Sequence, residues 1–481
     1  SVLRHIESSH VEHERISPLL IRRALKLAVE SFDPYKIYLT REEVSPLIHL
    51  SDRKLGLMAE AVRQGDLSGF NSLFALFEKA ARRAKRVRSE MISQDAPAPV
   101  GLKDKFVTSS EQLKEQHRAY IAACAQASGY GHAPWSQVVT YYDKRLSFHE
   151  QGYTSDYWKT RATKAIARSF DPHTAYYTPD ETAHLRVLLE NGYRGVGIGF
   201  SETLTGIYAS TLTPKGPAER SGRIEPGDRL IAIGETSVEP LCFPDVMNRL
   251  RRAKSPVRLS FSNGKSQYSV LLEKVALEAK GGRLAVSYEP TDKGIFAKLS
   301  LPSFYESDQM SAAHDIRFAL RNLMRQGDIR GVVLDLRENP GGFLAEGVRV
   351  AGTFMHSGIV ARAACRGSRE QLLRDLSCQQ FYKGPLVLLV SKASASCSEI
   401  VAGALQDYGL AVIVGDAHTF GKATIQDQTM STSRTSSYRV TMGRYTTVSG
   451  RSPQIEGVIP DIVVPTHYHK TRIGERYLAY P

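Results

Sequence analysis

A chain of 481 residues is too long for one hydrophobic core and is expected to divide into two or three domains. Its 42% hydrophobic and 23% charged content excludes a disordered or collagen-like chain, and no stretch reaches the roughly 20 uninterrupted apolar residues that a membrane-spanning helix requires. A formal net charge of +13 admits anionic partners, but no nucleic-acid-binding motif accompanies it, so no nucleic acid is expected among them.

The opening residues, SVLRHIESSHVEHERIS, lack the basic start, apolar middle and small-residue cleavage site of an export signal; an exported protein that has lost its signal reads the same way. His10 and His13 could share one helical face, yet no further carboxylate or histidine completes a metal set, and no metal or other cofactor is expected. From about residue 17 to 30, SPLLIRRALKLAVE places apolar residues at helical spacing behind a Ser-Pro start, and similar patterns recur to about residue 165. The first third is therefore expected to be mostly helical. Within it, Ser51-Asp52-Arg53-Lys54 has SxxK spacing but reads as a helix cap followed by solvated charges. The run KAARRAKRVR from Lys79 to Arg88 predicts a helix with a solvated basic face. Two segments echo each other, SFDPYKIYLTREEV from Ser31 and SFDPHTAYYTPDET from Ser169. Each reads as a loop followed by a helix start, with Thr40 and Thr178 ahead of acidic first turns, and two copies do not make a solenoid.

From about residue 193 the texture changes to short β-prone runs, GVGIGF, GIYASTL, RLIAIG and VRLSF, separated by turn residues. Between them GPAERSGRIEPGDRLIAIGE (Gly216 to Glu235) reads as a short helix, a turn at Pro226-Gly227-Asp228 and an apolar strand. After residue 295 strands alternate with helices: GVVLDL with LAEGVRVAGTFM, LVLLV with SEIVAGALQDYG, then AVIVG. That alternation predicts an α/β core with largely parallel strands. The five cysteines, Cys124, Cys242, Cys365, Cys378 and Cys397, are odd in number and scattered, so a disulfide framework is not expected; only Cys365 with Cys378 is a pair to consider in an oxidising compartment, and the sequence does not decide it.

Ser396 falls where the strand Leu386 to Val390 passes into a helix, an exposed and rigidly aimed position with the positive helix end behind it. Ser394, Ser396 and Ser398 are all competent helix caps, so the position alone does not separate a nucleophile from a cap. A serine hydroxyl needs a base, and Lys422 in TFGKATIQ follows the apolar strand AVIVG, where burial would depress its pKa.

The motifs LDLRENPGG, SASCSEIVAGALQDYG and TFGKATIQ, in that order, resemble the carboxy-terminal processing, or tail-specific, family of serine proteases from about Gln151 to Pro465, with a looser likeness to the long tail-specific branch before that. The resemblance implies Ser396 as nucleophile, Lys422 as general base, Gln426 as its orienting partner, and the N–H groups of Gly342 and Cys397 as the oxyanion hole; Glu399 and Asp407 also match family positions and read as supports. It departs from the family at Cys397, where alanine is usual, and in GDAHTFGK, which is one residue longer and carries His418 as a rival base.

The β-rich module is similar to a PDZ domain, with Gly195, Val196, Gly197, Ile198, Gly199 and Phe200 as the carboxylate-binding loop, whose backbone N–H groups would receive a free C-terminus. The expected architecture is an α/β multidomain chain: a helical N-terminal domain over 1–150, a helical lead-in over 151–192, a PDZ domain over 193–275, a Ser-Lys protease core over 276–470, and a tail over 471–481 beyond which the natural chain could continue. The implied partners are proteins or peptides with free apolar C-termini, in the periplasm or another exported compartment, with homo-oligomerisation left open. A PDZ-containing scaffold that binds tails without cutting is the alternative from another class, and a Ser-His hydrolase using His418 is a third reading.

Overall fold

The computed structural model describes the chain except for residues 1, 98–100, 103, 151–152, 183–184, 186–191, 279–281, 308–309, 378–379 and 431–436. Its contacts form two compact units: residues 17–166 with 193–277, and residues 1–16 and 167–192 with 278–481.

The first of these combines the helical region with the PDZ module. Its opening helix, Pro18–Phe32, starts where Ser17 accepts the Leu20 N–H and Pro18 fixes the first turn; it buries Leu20, Ile21, Ala24, Leu25, Ala28 and Val29 along one stripe. Phe32 stacks on Phe77 with ring centroids 4.1 Å apart, and Phe74 stacks on Trp158 at 4.6 Å, so aromatic pairs join helices distant in sequence. The basic run lies on the helix Asn71–Met91 as expected, with Lys79, Arg82, Lys85 and Arg86 exposed, but its last arginine departs from the expected solvated face. Arg88 is fully buried, with Nε 2.6 Å from Asp143 and Nη2 2.6 Å from Glu150, both on the helix Trp135–Glu150. The PDZ module is an antiparallel sheet in the order 198–203, 206–212, 229–233, 257–262, 267–272, covered by the helix Phe243–Arg252 over a core that includes Ile207, Leu230, Val246, Leu259 and Phe261.

The second unit carries the α/β core. Its six-stranded sheet runs in the order 285–291, 294–300, 329–335, 386–390, 412–415, 462–463, antiparallel in the first pair and parallel thereafter. The helices Ala312–Met324, Leu344–Phe354 and Cys397–Asp407 pack the apolar residues of these strands into one core. A second, antiparallel sheet, not foreseen from the sequence, is built on the long strand Ser437–Thr446, which pairs with 175–177, 361–365 and 424–430. Among the described residues no helix is long and apolar enough to cross a membrane. The pairing of Cys365 with Cys378 lies outside the described residues, because Cys378 is one of the omitted positions.

Both echoed segments end a helix, at Phe32 and at Phe170, and start the next with Thr40 or Thr178 bonded to Glu43 or Glu181 three residues on, as the loop-plus-cap reading expects. The buried Arg88 gives a test of the helical unit. Removing one partner of a buried ion pair typically costs about 3–5 kcal/mol. Arg88→Ala should therefore lower the urea midpoint of the first unfolding transition strongly, and an unchanged midpoint would show that Asp143 and Glu150 relax into water.

Candidate active site

The strand 386–390 leaves the sheet through Ser391–Ala395 and turns into the helix Cys397–Asp407 at Ser396. The three serines at this junction have different uses. Ser394 is buried, donates to Leu336 O at 2.8 Å and accepts the Ser391 N–H at 2.8 Å. Ser398 is buried and donates to Asn339 O at 2.9 Å. Both hydroxyls are consumed in holding the turn against the loop after strand 329–335, whereas Ser396 opens the helix with its backbone, its O accepting the Glu399 N–H at 2.8 Å. Ser396 itself has φ 56° and ψ −114°, a left-handed conformation that a non-glycine residue holds only under constraint. The residue facing it must be glycine: at Gly341, with φ 105°, a Cβ would lie 2.8 Å from Ser396 Cβ.

The constraint comes from Glu399, one turn into the helix and completely buried. Its Oε2 accepts the N–H groups of Ser396 and Lys422, each at 2.9 Å; its Oε1 accepts the Thr419 hydroxyl at 2.5 Å and the Gly421 N–H at 2.7 Å. One carboxylate thus ties the serine turn to the loop that carries the lysine. Burial pushes this carboxyl up to about 7, against the pull of the four donors. Three of the four donors are backbone N–H groups, which cannot accept a carboxyl proton, so the geometry favours the ionised form.

Lys422 is nearly buried, and burial first, then Arg439, pushes its amine down to about 8. Its Nζ donates to Gln426 Oε1 at 2.6 Å and to Thr424 O at 3.1 Å, so the structure brings the sequence-expected pair Lys422 and Gln426 together. Among the described residues Lys422 Nζ makes no hydrogen bond to Ser396. The two are linked through Glu399 and through the buried Tyr445, whose hydroxyl lies 3.2 Å from Ser396 O and 3.0 Å from Lys422 O. His418, the rival base, has Nδ1 2.6 Å from Thr419 O, and among the described residues no hydrogen bond joins it to Ser396.

Gly342 forms a bridge with Phe304; at φ 153° a Cβ there would fall 2.3 Å from Phe304 O. Cys397 opens the serine helix, and neither its N–H nor that of Gly342 finds an oxygen acceptor among the described residues. The Cys397 side chain is buried against Gly347, burial pushes its thiol up to about 11, and its sulfur lies 3.5 Å from the carbonyls of Gly342 and Phe343. A thiol so held is a packing group rather than a second nucleophile. Asp407 closes the other end of the helix by accepting from Ser449 N–H at 2.9 Å and Arg451 at 2.6 Å.

In the other unit, the strand 198–203 is an edge of the PDZ sheet, the position to which a peptide strand can add. Of the six residues expected in the carboxylate loop, Gly195 ends the strand 192–195 and Ile198, Gly199 and Phe200 open the strand 198–203, so the turn itself is Val196-Gly197, with Val196 O accepting the Ala218 N–H at 3.0 Å and Gly197 O accepting the Thr213 N–H at 2.9 Å. Glu202 on the same strand accepts from Arg145 at 2.7 Å and Tyr141 at 3.3 Å, fixing the strand to the helix Trp135–Glu150. Ser51 caps its helix by accepting the Lys54 N–H at 3.5 Å, the cap expected of that SxxK run. His10 and His13 follow the helix Val2–Ser9 rather than lying on one of its faces, and His10 is bonded to Asp171 at 2.6 Å. Sequence reasoning gave no role to Gly341, Thr419 or Tyr445; the first two were legible as the other glycine of ENPGG and the threonine of TFGK, while Tyr445 carries no local signature.

Glu399→Gln tests the buried node. An amide places N–H groups against two of the four donors, and leaving a buried donor unpaired costs about 1–3 kcal/mol. The variant should melt at lower temperature than the wild type in a thermal denaturation scan. A wild-type melting temperature for Glu399→Gln would show that the serine turn and lysine loop hold their places without it.

Residues 296–464 match peptidase family S41, residues 2–180 match the tail specific protease N-terminal domain, and residues 186–261 match the PDZ domain. A tail-specific protease of Haemophilus influenzae is 31% identical over 328 residues, covering 65% of this chain and 46% of the relative, so the chain spans about half that relative's length. The chloroplastic carboxyl-terminal-processing peptidase 2 of Arabidopsis thaliana is 28% identical over 391 residues, covering 79% of this chain and 73% of the relative. Among solved structures, a photosystem II D1 C-terminal processing protease aligns at 24% identity with a TM-score of 0.38 over 74% of this chain and 94% of its own, a likeness that carries no weight beside the sequence matches. The chain thus carries a peptidase family S41 domain together with a tail specific protease N-terminal domain and a PDZ domain, and is similar to tail-specific and carboxyl-terminal processing proteases.

Proposed function

We propose that this protein is a serine endopeptidase that captures protein C-termini on its PDZ module and cleaves through an acyl-enzyme, with Ser396 as nucleophile and Lys422 as general base. The observation that carries the reading is the pairing of a strained serine with a buried lysine at about 8, both hung on one carboxylate.

In its neutral form the lysine amine has two hydrogens and one lone pair. Gln426 Oε1 and Thr424 O accept the two hydrogens, which leaves the lone pair for the Ser396 proton. The serine oxygen then adds to the scissile carbonyl, and the N–H groups of Gly342 and Cys397, at the positive end of the serine helix, receive the oxyanion. Collapse of the tetrahedral intermediate breaks the C–N bond, and the lysine ammonium returns its proton to the leaving amine. Water, deprotonated by the same amine, releases the acyl group and restores Ser396. A tail with a free carboxylate and an apolar last side chain would add along the strand 198–203, held at its end by the Gly195–Phe200 loop. The absence of a Ser396–Lys422 bond among the described residues fits a resting arrangement that a bound tail shifts to the active one. The family resemblance supports an exported, periplasmic-type compartment, where such restraint protects neighbouring proteins.

Ser396→Ala should abolish cleavage of an unfolded substrate while leaving the melting temperature nearly unchanged, and full residual activity would remove Ser396 from the mechanism. The rate should rise with pH through about 8 and level off above it, because the base acts only when deprotonated. Lys422→Ala should be inactive and His418→Ala should retain most activity; the reverse order would hand the base role to the histidine.

Tail recognition is tested separately by giving one unfolded protein three ends: a free apolar tail, the same tail amidated, and an Asp-Asp tail. The free apolar tail should be cut fastest. Equal rates for all three would sink the tail-capture claim and leave the Ser-Lys chemistry standing.

A further inference from the structure

The lysine's partner Gln426 is itself held by a line of buried polar groups that ends far from Ser396 in sequence. A β-bulge between Ile425 and Gln426 sets Gln426 directly across from Thr441 on the strand Ser437–Thr446. Gln426 Nε2 donates to Thr424 Oγ1 at 2.8 Å and to Thr441 Oγ1 at 3.3 Å. Thr441 is buried, its N–H donates to Thr174 Oγ1 at 3.2 Å, and its hydroxyl is one of the groups that pull the Asp171 carboxyl down. Asp171 accepts the N–H groups of His173 and Thr174, each at 2.6 Å, and the Thr174 hydroxyl at 2.9 Å. Its last partner is His10 Nε2 at 2.6 Å.

Proton positions along this line follow from which groups accept. His10 Nδ1 accepts the N–H groups of Glu12 and His13, both at 3.1 Å, so the ring hydrogen sits on Nε2 and points at Asp171. Burial opposes charge on Asp171, but the bonds from His10, Thr174 and Thr441 outweigh it and hold the carboxyl well below its usual range. An ionised carboxylate only accepts, so the Thr441 hydrogen points at it and the Thr441 oxygen turns its lone pairs to Gln426. The Gln426 amide is thereby fixed with its NH2 toward Thr441 and its oxygen toward Lys422. A flipped amide would set donors against the lysine.

We propose that Asp171, aimed by His10, is a positioning residue for the lysine base, acting through Thr441 and Gln426. The inference rests on Lys422 being the base. It also separates the two echoed segments, because among the described residues the Asp33 carboxylate accepts the N–H groups of Ile37, Tyr38 and Leu39 and completes a turn. Asp171 accepts backbone N–H groups in the same way and carries the side-chain bonds from His10 and Thr174 in addition. The strand at the centre of the line is fixed from the N-terminal side as well, since Val11 N–H donates to Thr441 O at 2.9 Å.

The test is Thr441→Val, which removes the hydroxyl at nearly constant volume, beside Thr441→Ser, which keeps it, and Asp171→Asn. Two readouts are taken on the full chain: kcat and KM on an unfolded substrate, and titration of Lys422 by NMR with carbon-13-labelled lysine. The charged groups that bear on Lys422, namely Arg439, Cys397, Glu399 and Glu475, are unchanged in all three variants. Losing an oriented acceptor disfavours the ammonium, so the Lys422 midpoint should move to lower pH in Thr441→Val and Asp171→Asn. With the amine misdirected, kcat should fall by roughly tenfold or more at little change in KM. Thr441→Ser should restore both. A Lys422 midpoint unmoved in Thr441→Val and Asp171→Asn, or a Thr441→Ser protein as impaired as Thr441→Val, overturns the proposal, and a drop in kcat without a moved midpoint reduces Thr441 to a structural residue. The titration judges the line of bonds even if Ser396→Ala still cleaves, an outcome that would sink the Ser-Lys reading instead.

Discussion

The site depends on one buried carboxylate. Glu399 draws two segments, the serine turn and the TFGK loop, onto its two oxygens, each of which accepts two donors; the Phe420 N–H to Ser394 O bond and the Tyr445 hydroxyl add to that link. Oε2 takes the N–H of Ser396 and the N–H of Lys422 at equal distances. A carboxylate accepts in one plane, so the arrangement fixes not only the separation of the two backbones but their relative orientation. The left-handed backbone of Ser396 is then over-determined: its N–H is held by Glu399, the residue before it is held by Asn339 O at 3.1 Å, and Gly341 leaves the room it needs.

Much of this was legible in the sequence because it is local. The strand-to-helix junction at Ser396, the helix Pro18–Phe32 behind its Ser-Pro cap, the PDZ strands between glycine turns and the parallel strands of the core all follow from periodicity and turn residues within short windows. The parts that were not legible are long-range. Nothing in the run ending at Arg88 shows that one arginine turns inward to two acids more than fifty residues on, since the run is uniformly basic and only the partner helix decides which face is solvent. The second sheet escaped because its central strand, SYRVTMGRYT, reads as a plausible exposed strand and gains its meaning only from partners at 175–177, 361–365 and 424–430. Likewise, three serines in SASCSE look alike until the carbonyls of Leu336 and Asn339 claim the first and third.

The same distinction separates the two echoed motifs. SFDP ends a helix in both copies because phenylalanine buries, aspartate accepts the N–H groups of the turn and proline stops the helix. The two residues after the proline differ, Tyr-Lys in one copy and His-Thr in the other, and that difference decides whether the aspartate serves the turn alone or also meets the strand behind Gln426.

Why an amide rather than a carboxylate should contact the lysine follows from charge. Burial brings the amine down to about 8, while Glu399, Glu475 and Cys397 work in the other direction. An additional carboxylate at 2.6 Å from Nζ would stabilise the ammonium further and leave a base that is protonated at working pH. Gln426 orients the amine with a full hydrogen bond and no net charge, so the lysine keeps its low pKa. The cost of that choice is direction. A carboxylate presents acceptors on both sides, whereas an amide presents an acceptor on one side and donors on the other, and its two orientations differ little in shape. A neutral orienter therefore works only if something behind it reads the difference between its oxygen and its nitrogen. The hydroxyls of Thr424 and Thr441 can do so only when their own hydrogens point away, and for Thr441 the group that draws the hydrogen away is the charged, buried Asp171. The charge kept away from the lysine is thus placed at the far end of the line, where it sets direction without raising the pKa of the base.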